Sequence, residues 1–328
     1  MTPIKAVLVS IVLLPLALTA QAADMPDAKT ELDAALGLLK AGHMDSSKVD
    51  WPALQTKALA MLGSATKPEE AYPAIRYVIV QLGEKHTSMM TADAWKAMMA
   101  DRMVGRAPAP DWQPPEGHLL EGGIGLVALK GIQGSPADSL AYASAARSAL
   151  RTFADDHVCR YIIDLRFNNG GSMDPMINGV EALLGKPPYG FWQAAGGASE
   201  SPWNLKRGPF QHEEAPASEA VQSKAAVAIL IDRRTASSGE FTAMAFEGRP
   251  NTRVFGENSA GFLTTNSPAE LPDGARLFIS GGWATDRLHR PYRDVIAPDE
   301  ATPRGQATLD AAIAWLKTRP CPPRRPGR

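Results

Sequence analysis

The sequence predicts an α/β domain with a mainly parallel sheet covered by helices on both sides. Two apolar runs, at residues 159–165 and 225–232, lack the polar alternation of a half-exposed strand and therefore indicate buried strands. A segment with helical spacing of its apolar residues follows each run. Buried strands that alternate with helices are typical of parallel sheets.

The N-terminal part is predicted to be helical. Helical spacing of apolar residues predicts helices at Ala28–Ala41, Trp51–Leu62 and Glu69–Leu82. The start of the third helix stays open, because Pro73 suits only a first helical turn. We interpret these helices as a small cap that ends at Gly83–Thr87.

The remaining elements belong to the main domain. The predicted strands are Gly123–Leu129, Cys159–Leu165, Ala225–Asp232, Thr252–Gly256 and Leu277–Ile279. The predicted helices run from the Ser135–Pro136 cap to about Phe153 and over Asp174–Leu184, Glu240–Glu247 and Ala307–Lys317. A polar loop rich in Gly, Ser and Pro is predicted at Ala194–Ser218.

These elements predict five regions along the chain. A basic start, a short apolar stretch and a small-residue site near Ala22 favour a cleaved signal peptide, so we expect a periplasmic or secreted protein; an uncleaved anchor is the alternative. The predicted regions are a signal peptide at 1–22, a helical cap at 23–106, a proline-rich connector at 107–120, an α/β core at 121–318 and a disordered basic tail at 319–328.

Charge and cysteine content narrow the function. The 328-residue chain has 34 basic and 35 acidic residues and a formal net charge of -1, which gives no electrostatic reason to expect nucleic-acid binding. The six histidines do not cluster and the two cysteines match no zinc spacing, so we expect no metal or cofactor. Export permits a disulfide between Cys159 and Cys321, but Cys159 opens a core strand, and we expect it to be free and buried.

Thr235–Glu240 places a hydroxyl between a buried strand and a helix. Ser237 is followed by small residues that let a carbonyl group approach the backbone, and the N–H of Ser238 could stabilise an oxyanion. Taken alone, these Ser and Thr side chains could merely cap the helix. Glu240 is expected to brace this segment rather than to act in catalysis.

A glycine turn ends the preceding strand of the predicted sheet. Asp164–Gly171 reads Asp-Leu-Arg-Phe-Asn-Asn-Gly-Gly, in which Gly170 and Gly171 permit backbone conformations that expose N–H groups to a ligand. An ordinary strand-to-helix turn is the alternative. With the hydroxyl at Ser237, these N–H groups favour a serine hydrolase site.

Five segments in order resemble one family of serine peptidases, which includes C-terminal-processing proteases, the tricorn core and retinoid-binding protein repeats. They are Leu82–Thr87, Asp164–Gly171, Thr235–Glu240, Gly256–Gly261 and Ile296–Asp299. The resemblance covers roughly residues 28–317. It implies a ClpP- and crotonase-like spiral core and makes Ser237 the nucleophile. Too few residues separate His86 from Gly123 for an inserted PDZ domain.

The chain departs from both branches of this family. Phe262 stands where the lysine branch has its catalytic lysine, with no lysine nearby in sequence, so a Ser–Lys mechanism is not expected. His86 matches the histidine of the tricorn-like branch, which implies that it is the general base; a helix-end histidine bound to carbonyl groups is the alternative. Tyr292 replaces that branch's glutamate. The third catalytic member stays open, with Asp294, Glu84 and Asp286 as candidates.

We therefore predict an exported serine peptidase that forms an acyl-enzyme on Ser237. Its expected partner is a peptide or protein substrate, with no nucleic acid and no membrane span after signal removal, and the sequence leaves the oligomeric state open. A non-catalytic member that binds a peptide or an apolar ligand is one alternative, and an esterase is another.

Overall fold

Two β-sheets and their flanking helices form the computed structural model, which describes residues 26–103, 113–197, 199–205 and 224–321. The helices are α1 (Ala28–Gly42), α2 (Trp51–Leu62), α3 (Tyr72–Gln81), α4 (Ala92–Met103), α5 (Pro136–Asp155), α6 (Met173–Leu184), α7 (Ser238–Met244) and α8 (Gln306–Lys317). The strands are β1 (Ser88–Met90), β2 (Glu116–Leu120), β3 (Ile124–Ala128), β4 (Arg160–Asp164), β5 (Gly190–Ala194), β6 (Glu200–Pro202), β7 (Ala226–Ile231), β8 (Thr252–Gly256), β9 (Thr264–Glu270), β10 (Arg276–Asp286) and β11 (Glu300–Ala301).

The main sheet has the strand order β11-β8-β7-β4-β3-β2. All neighbours are parallel except β2, which pairs antiparallel with β3. Ile163 in β4 lies opposite Ile229 in β7, so the ends of these two strands coincide. The predicted mainly parallel sheet is confirmed. Its register brings the chain that follows β4 close to the chain that follows β7.

Helices cover both faces of the main sheet, as the apolar strands require. On one face, Val227, Ile229 and Ile231 pack in a core with α5 and α6. On the other face, Ala228 and Leu230 pack against α8. This two-sided burial explains why the strand sequence lacks polar alternation.

A second sheet of five strands is antiparallel, and the sequence did not predict it. Strand β10 pairs with β1, β5 and β9, while β6 extends the sheet beyond β5. Only Leu277–Ile279 of β10 was predicted as a strand. Helices α1 to α3 bury their apolar faces against this sheet through Leu277 and Ile279.

Several other expectations need correction. Helix α4 and strands β1 and β2 occur where none was predicted, and β6 lies inside the predicted loop Ala194–Ser218. The third predicted helix is divided into a 3-10 segment, Pro68–Ala71, and α3, with Pro73 in the first turn of α3. The predicted signal peptide, residues 107–112 of the connector, much of that loop and the end of the tail lie outside the described residues.

The expectation of a free Cys159 is wrong. Cys159 forms a disulfide with Cys321, with their Cα atoms 5.5 Å apart. The chain beyond α8 returns to the start of β4, where the Arg160 side chain donates a hydrogen bond to the Arg319 carbonyl. This return brings the terminal cysteine to the strand.

Candidate active site

The segment around Ser237 begins where β7 ends and leads directly into α7. Ser237 precedes the first residue of α7 with φ 50° and ψ -120°, a conformation that is rare for a residue with a side chain. Such strain persists only where the surrounding structure enforces it, and it is concentrated at functional sites. The backbone therefore marks Ser237 among the hydroxyl residues of this segment.

The side chain of Glu240 binds the backbone of Ser237 in this conformation. Its carboxylate is fully buried and accepts hydrogen bonds from the Ser237 N–H at 2.7 Å and the Phe262 N–H at 2.7 Å. It also accepts from the Ser259 hydroxyl at 2.5 Å and the Gly261 N–H at 2.7 Å. Burial raises the pKa of Glu240, while these four donors oppose that rise. Glu240 thus holds the segment around Ser237 to the Ser259–Phe262 turn.

The structure brings His86 to Ser237 from a distant part of the chain. His86 lies between α3 and β1, and its Nε2 is 3.4 Å from Ser237 Oγ. Nucleophile and base are often this far apart before substrate tightens the site. The Phe262 ring stands edge-on to the imidazole, with 5.3 Å between ring centres.

The other imidazole nitrogen contacts a residue that the sequence did not suggest. His86 Nδ1 is 2.8 Å from the hydroxyl oxygen of Thr264, in β9. Thr264 Oγ1 is in turn 3.1 Å from Ser280 Oγ, in β10. Thr264 lies in a polar segment without strand alternation, so no sequence signal distinguished it.

Among the described residues, none of the three proposed acids hydrogen-bonds to the imidazole. Glu84 instead accepts from the backbone N–H groups of His86 at 2.5 Å and Thr87 at 2.8 Å. Asp286 is buried in an ion pair with Arg290. Asp294 lies with its carbonyl oxygen directly against Gly261.

Glu84 also faces a buried histidine. The nitrogen Nε2 of His43 is 3.6 Å from Glu84 Oε1, and His43 is only 3% exposed. Burial favours a higher pKa for Glu84, but the nearby His43 imidazole and the hydrogen bonds from Thr87 and the His86 backbone prevail and lower that pKa to about 2. Glu84 is therefore ionised throughout the neutral range.

The glycine loop lies against Ser237. A methyl group placed on Gly170 would lie 2.9 Å from Ser237 Cβ, so only glycine allows this approach. The Gly170 N–H donates to Asn168 Oδ1 at 3.0 Å. Within the described part of the chain, the N–H groups of Gly171 and Ser238 have no acceptor, and the Ser238 hydroxyl donates to the Gly171 carbonyl at 2.7 Å.

Lys85 is closer to Phe262 than the sequence suggested. Its Nζ lies 5.5 Å from the centre of the Phe262 ring and donates to the Ala260 carbonyl at 2.6 Å. The absence of a lysine near Phe262 thus holds in sequence but not in space. This lysine holds the turn that Glu240 also anchors.

A cleft of about 920 Å³ opens over Ser237 and His86. Among the described residues that line it, none is Asp, Glu, Lys or Arg, and His86 is the one titratable side chain. Met173, Trp192 and Phe241 form an apolar part of the wall beside Ser238, with the Trp192 and Phe241 ring centres 5.2 Å apart. His86 is therefore the only titratable group that the described residues present to this cleft.

Two further observations concern what the described residues do not contain. No three or more His, Cys, Asp or Glu side chains in the described ranges are grouped to hold a metal ion. No helix in those ranges is both long enough and apolar enough to cross a membrane.

Comparison with known proteins identifies the family of this site. Residues 123–301, more than half of the chain, match the description "Peptidase family S41". The chain belongs to peptidase family S41. It is a serine-type peptidase, and the predicted resemblance and fold class are confirmed.

Two relatives are similar to this chain over different shares of its length. The nisin-resistance protein of Lactococcus lactis subsp. lactis is 28% identical over 276 residues, which are 82% of this chain and 80% of that protein. A probable CtpA-like serine protease of Staphylococcus saprophyticus is 25% identical over 188 residues, 56% of this chain but only 34% of the relative.

Two solved structures share the fold. A lipoprotein from Streptococcus agalactiae has a TM-score of 0.70 and 23% identity, covering 94% of this chain and 99% of its own. The photosystem II D1 C-terminal processing protease has a TM-score of 0.61 and 14% identity, covering 89% of this chain and 97% of its own.

Proposed function

We propose that this S41 peptidase hydrolyses peptide bonds through an acyl-enzyme on Ser237, with His86 as general base. The observation that carries the proposal is the 3.4 Å approach of Ser237 Oγ to His86 Nε2 across 151 residues of sequence. The strained backbone of Ser237 supports the same assignment.

The mechanism follows from the atoms in contact. Ser237 Oγ attacks the substrate carbonyl carbon as its proton passes to His86 Nε2. The N–H groups of Ser238 and Gly171 hold the oxyanion, because the Gly170 N–H already donates to Asn168. His86 then protonates the leaving amine, and water resolves the ester with His86 again as base.

The environment of His86 supports its role as a base. Burial lowers the pKa of the imidazole, while the charge of Glu84 and a hydrogen bond that the ring donates to Thr264 oppose that change. A lowered pKa keeps the imidazole neutral, and able to accept a proton, at neutral pH. The acid limb of the activity profile is expected below the ordinary pKa of 6.5.

The cleft supports a peptide with an uncharged residue next to the cleaved bond. A substrate carbonyl held by Ser238 places the adjoining side chain near Met173 and Phe241. Burial of an apolar side chain there contributes about 1.5–3 kcal/mol, whereas a charged side chain meets no described counter-charge.

We place the mature protein outside the cytoplasm. The basic and apolar start of the sequence has the pattern of a leader. The disulfide between Cys159 and Cys321 supports export, because such bonds persist mainly in oxidising compartments. Release of residues 1–22 on export, seen as a mass difference between precursor and mature protein, tests this placement.

Active-site labelling tests the assignment of Ser237. A fluorophosphonate probe is expected to label the wild-type protein and the control Ser148→Ala, a change on the exposed face of α5, but not Ser237→Ala. Peptide hydrolysis is expected to follow the labelling. Labelling of a folded Ser237→Ala protein would remove Ser237 from its role. Peptide binding by an unlabelled wild-type protein would favour a binding function, and turnover of esters without amides would favour an esterase.

Nisin resistance is a second candidate role. The likeness to the nisin-resistance protein extends over 82% of this chain, beyond the residues that match the family. Incubation of nisin with wild-type protein and with Ser237→Ala tests it by mass spectrometry. New fragments are expected from the wild type alone, and intact nisin beside cleaved test peptides would exclude the role.

A further inference from the structure

We propose that Thr264 orients the His86 imidazole in place of a carboxylate and that Ser280 orients Thr264. This inference rests on the proposed function, because it concerns the base of the same site. The distances are 2.8 Å from His86 Nδ1 to Thr264 Oγ1 and 3.1 Å from Thr264 Oγ1 to Ser280 Oγ.

The position of the ring proton decides which group donates and which accepts in these two hydrogen bonds. His86 Nε2 can accept the Ser237 proton only if the neutral ring carries its own proton on Nδ1. A threonine hydroxyl has two acceptor lone pairs and one donor, so Thr264 can accept from Nδ1–H and donate to Ser280 Oγ. The hydroxyl pair thereby selects the tautomer that catalysis needs.

The surrounding sheet fixes both hydroxyl groups. Thr264 is 5% exposed and pairs with Trp283 of β10, while Ser280 is fully buried in the same strand. The Ser280 N–H donates to the hydroxyl of Thr87 at 3.1 Å, and Thr87 directly follows His86. One strand therefore positions both the ring of His86, through Thr264, and its backbone, through Thr87.

A hydroxyl and a carboxylate have different electrostatic effects on the ring. A carboxylate at Nδ1 would favour the charged imidazolium and raise its pKa. The hydroxyl of Thr264 fixes the orientation of the ring without adding a charge. Orientation without a charge at Nδ1 leaves the base neutral down to a lower pH, and the imidazolium formed during catalysis receives less stabilisation.

Three substitutions at Thr264 separate the effect of its hydroxyl group on the His86 ring from the effect of its side-chain volume. Thr264→Val keeps the shape and removes the hydroxyl, so we expect kcat to fall ~10- to 100-fold, part of the ~100- to 10,000-fold that general base catalysis contributes, with KM unchanged within about two-fold. Thr264→Ser restores the hydroxyl and is expected to restore kcat. Thr264→Asp is expected to move the acid limb of the pH profile upward by about one unit. Wild-type kcat in Thr264→Val, or an unmoved limb in Thr264→Asp, would overturn the inference.

A measurement on the wild-type protein keeps the inference testable if these variants fail to fold. Nuclear magnetic resonance of isotope-labelled histidine, with the His86 signals assigned by their loss in His86→Ala, reports which ring nitrogen carries the proton. We expect the proton on Nδ1. A proton on Nε2 in the neutral ring would overturn the inference.

The failure of this inference and the failure of the proposed function are distinguishable. If His86→Ala and Ser237→Ala abolish hydrolysis but Thr264→Val does not reduce it, the catalytic pair stands and only the role of Thr264 is lost. If a folded His86→Ala protein keeps full activity, the proposed function itself fails.

Discussion

The two sides of the candidate site are held in place by different chemistry. Ser237 is held by a buried carboxylate, Glu240, which accepts four hydrogen bonds, three of them from the backbone. The His86 ring contacts one hydroxyl group of the antiparallel sheet, that of Thr264, which in turn contacts the hydroxyl of Ser280. Loss of a buried carboxylate leaves several polar groups unsatisfied, whereas loss of one hydroxyl leaves few. We therefore expect loss of the Glu240 carboxylate to reduce stability, and loss of the Thr264 hydroxyl to reduce activity more than stability.

The largest effect is expected from Glu240→Ala. Loss of the carboxylate leaves four donors without an acceptor in a buried site. This loss is expected to lower the free energy of unfolding by about 3–5 kcal/mol. Urea unfolding measures this change. Glu121→Ala, on the exposed turn between β2 and β3, is the control and is expected to stay within about 0.5 kcal/mol of wild type. Equal stability of the two variants would remove the contrast between the sides.

Gly170→Ala tests how closely the glycine loop must approach the nucleophile. The added methyl group would lie 2.9 Å from both the Ala236 carbonyl oxygen and Ser237 Cβ, at a φ of 94°. We expect kcat/KM to fall by at least ~100-fold, as for loss of an oxyanion donor. The control Gly37→Ala lies in α1 with no atom within 4 Å of its new Cβ and is expected to keep full activity. A wild-type value of kcat/KM in Gly170→Ala would show that the loop can move to accommodate the added methyl group.

Glu84→Gln tests how the charge of Glu84 affects the pKa of His86. The negative charge of Glu84 raises the pKa of His86 against the effect of burial, so its neutralisation is expected to move the acid limb of activity to lower pH. The pH dependence of kcat/KM measures this shift. A limb that moves upward would contradict the charge effect.

The same carboxylate links stability to pH. The pKa of Glu84 is about 2 in the folded protein against an ordinary 4.5, despite burial. The stabilisation is therefore present above about 4.5 and is lost as the pH falls towards 2. Urea midpoints of the wild type and Glu84→Gln should converge on acidification, and a constant difference would contradict this link.

The smallest effect is expected where α1 meets the turn between β9 and β10. Burial of Glu31, together with the neighbouring Asp273 carboxylate, raises the pKa of Glu31 to about 8. A raised pKa stabilises the fold below about 4.5 and loses that contribution as the pH rises through 8. Urea midpoints should fall between pH 5 and 8.5 for the wild type and less for Glu31→Gln. An equal fall in both would contradict the prediction.

The main sheet could be predicted because its sequence is locally consistent. The runs of apolar residues in β4 and β7 are buried on both faces, and Ser135 caps α5 with Pro136 in its first turn, as expected. Ser237 and Gly170 could be located from sequence because they come shortly after the ends of these two strands. Local sequence was sufficient there because strand burial and turn chemistry determine the structure.

The base side could be predicted only in part. His86 was found through the family resemblance, but its Nδ1 partner was sought among carboxylates. Thr264 belongs to β9, whose sequence Thr-Thr-Asn-Ser-Pro-Ala-Glu lacks strand alternation and forms a strand through pairing with β10. Long-range pairing of this kind leaves little local signal. Glu84 was a candidate for the third catalytic member, but its carboxylate binds the backbone of His86 and Thr87 rather than the ring.

The bond between Cys159 and Cys321 encloses a ring of chain that contains Ser237 and Thr264 but leaves out His86. If another protease cut the polypeptide anywhere within that ring, the two fragments would remain covalently joined. A cut between His86 and Cys159 would instead leave His86 attached to the Ser237 part of the chain by non-covalent contacts alone.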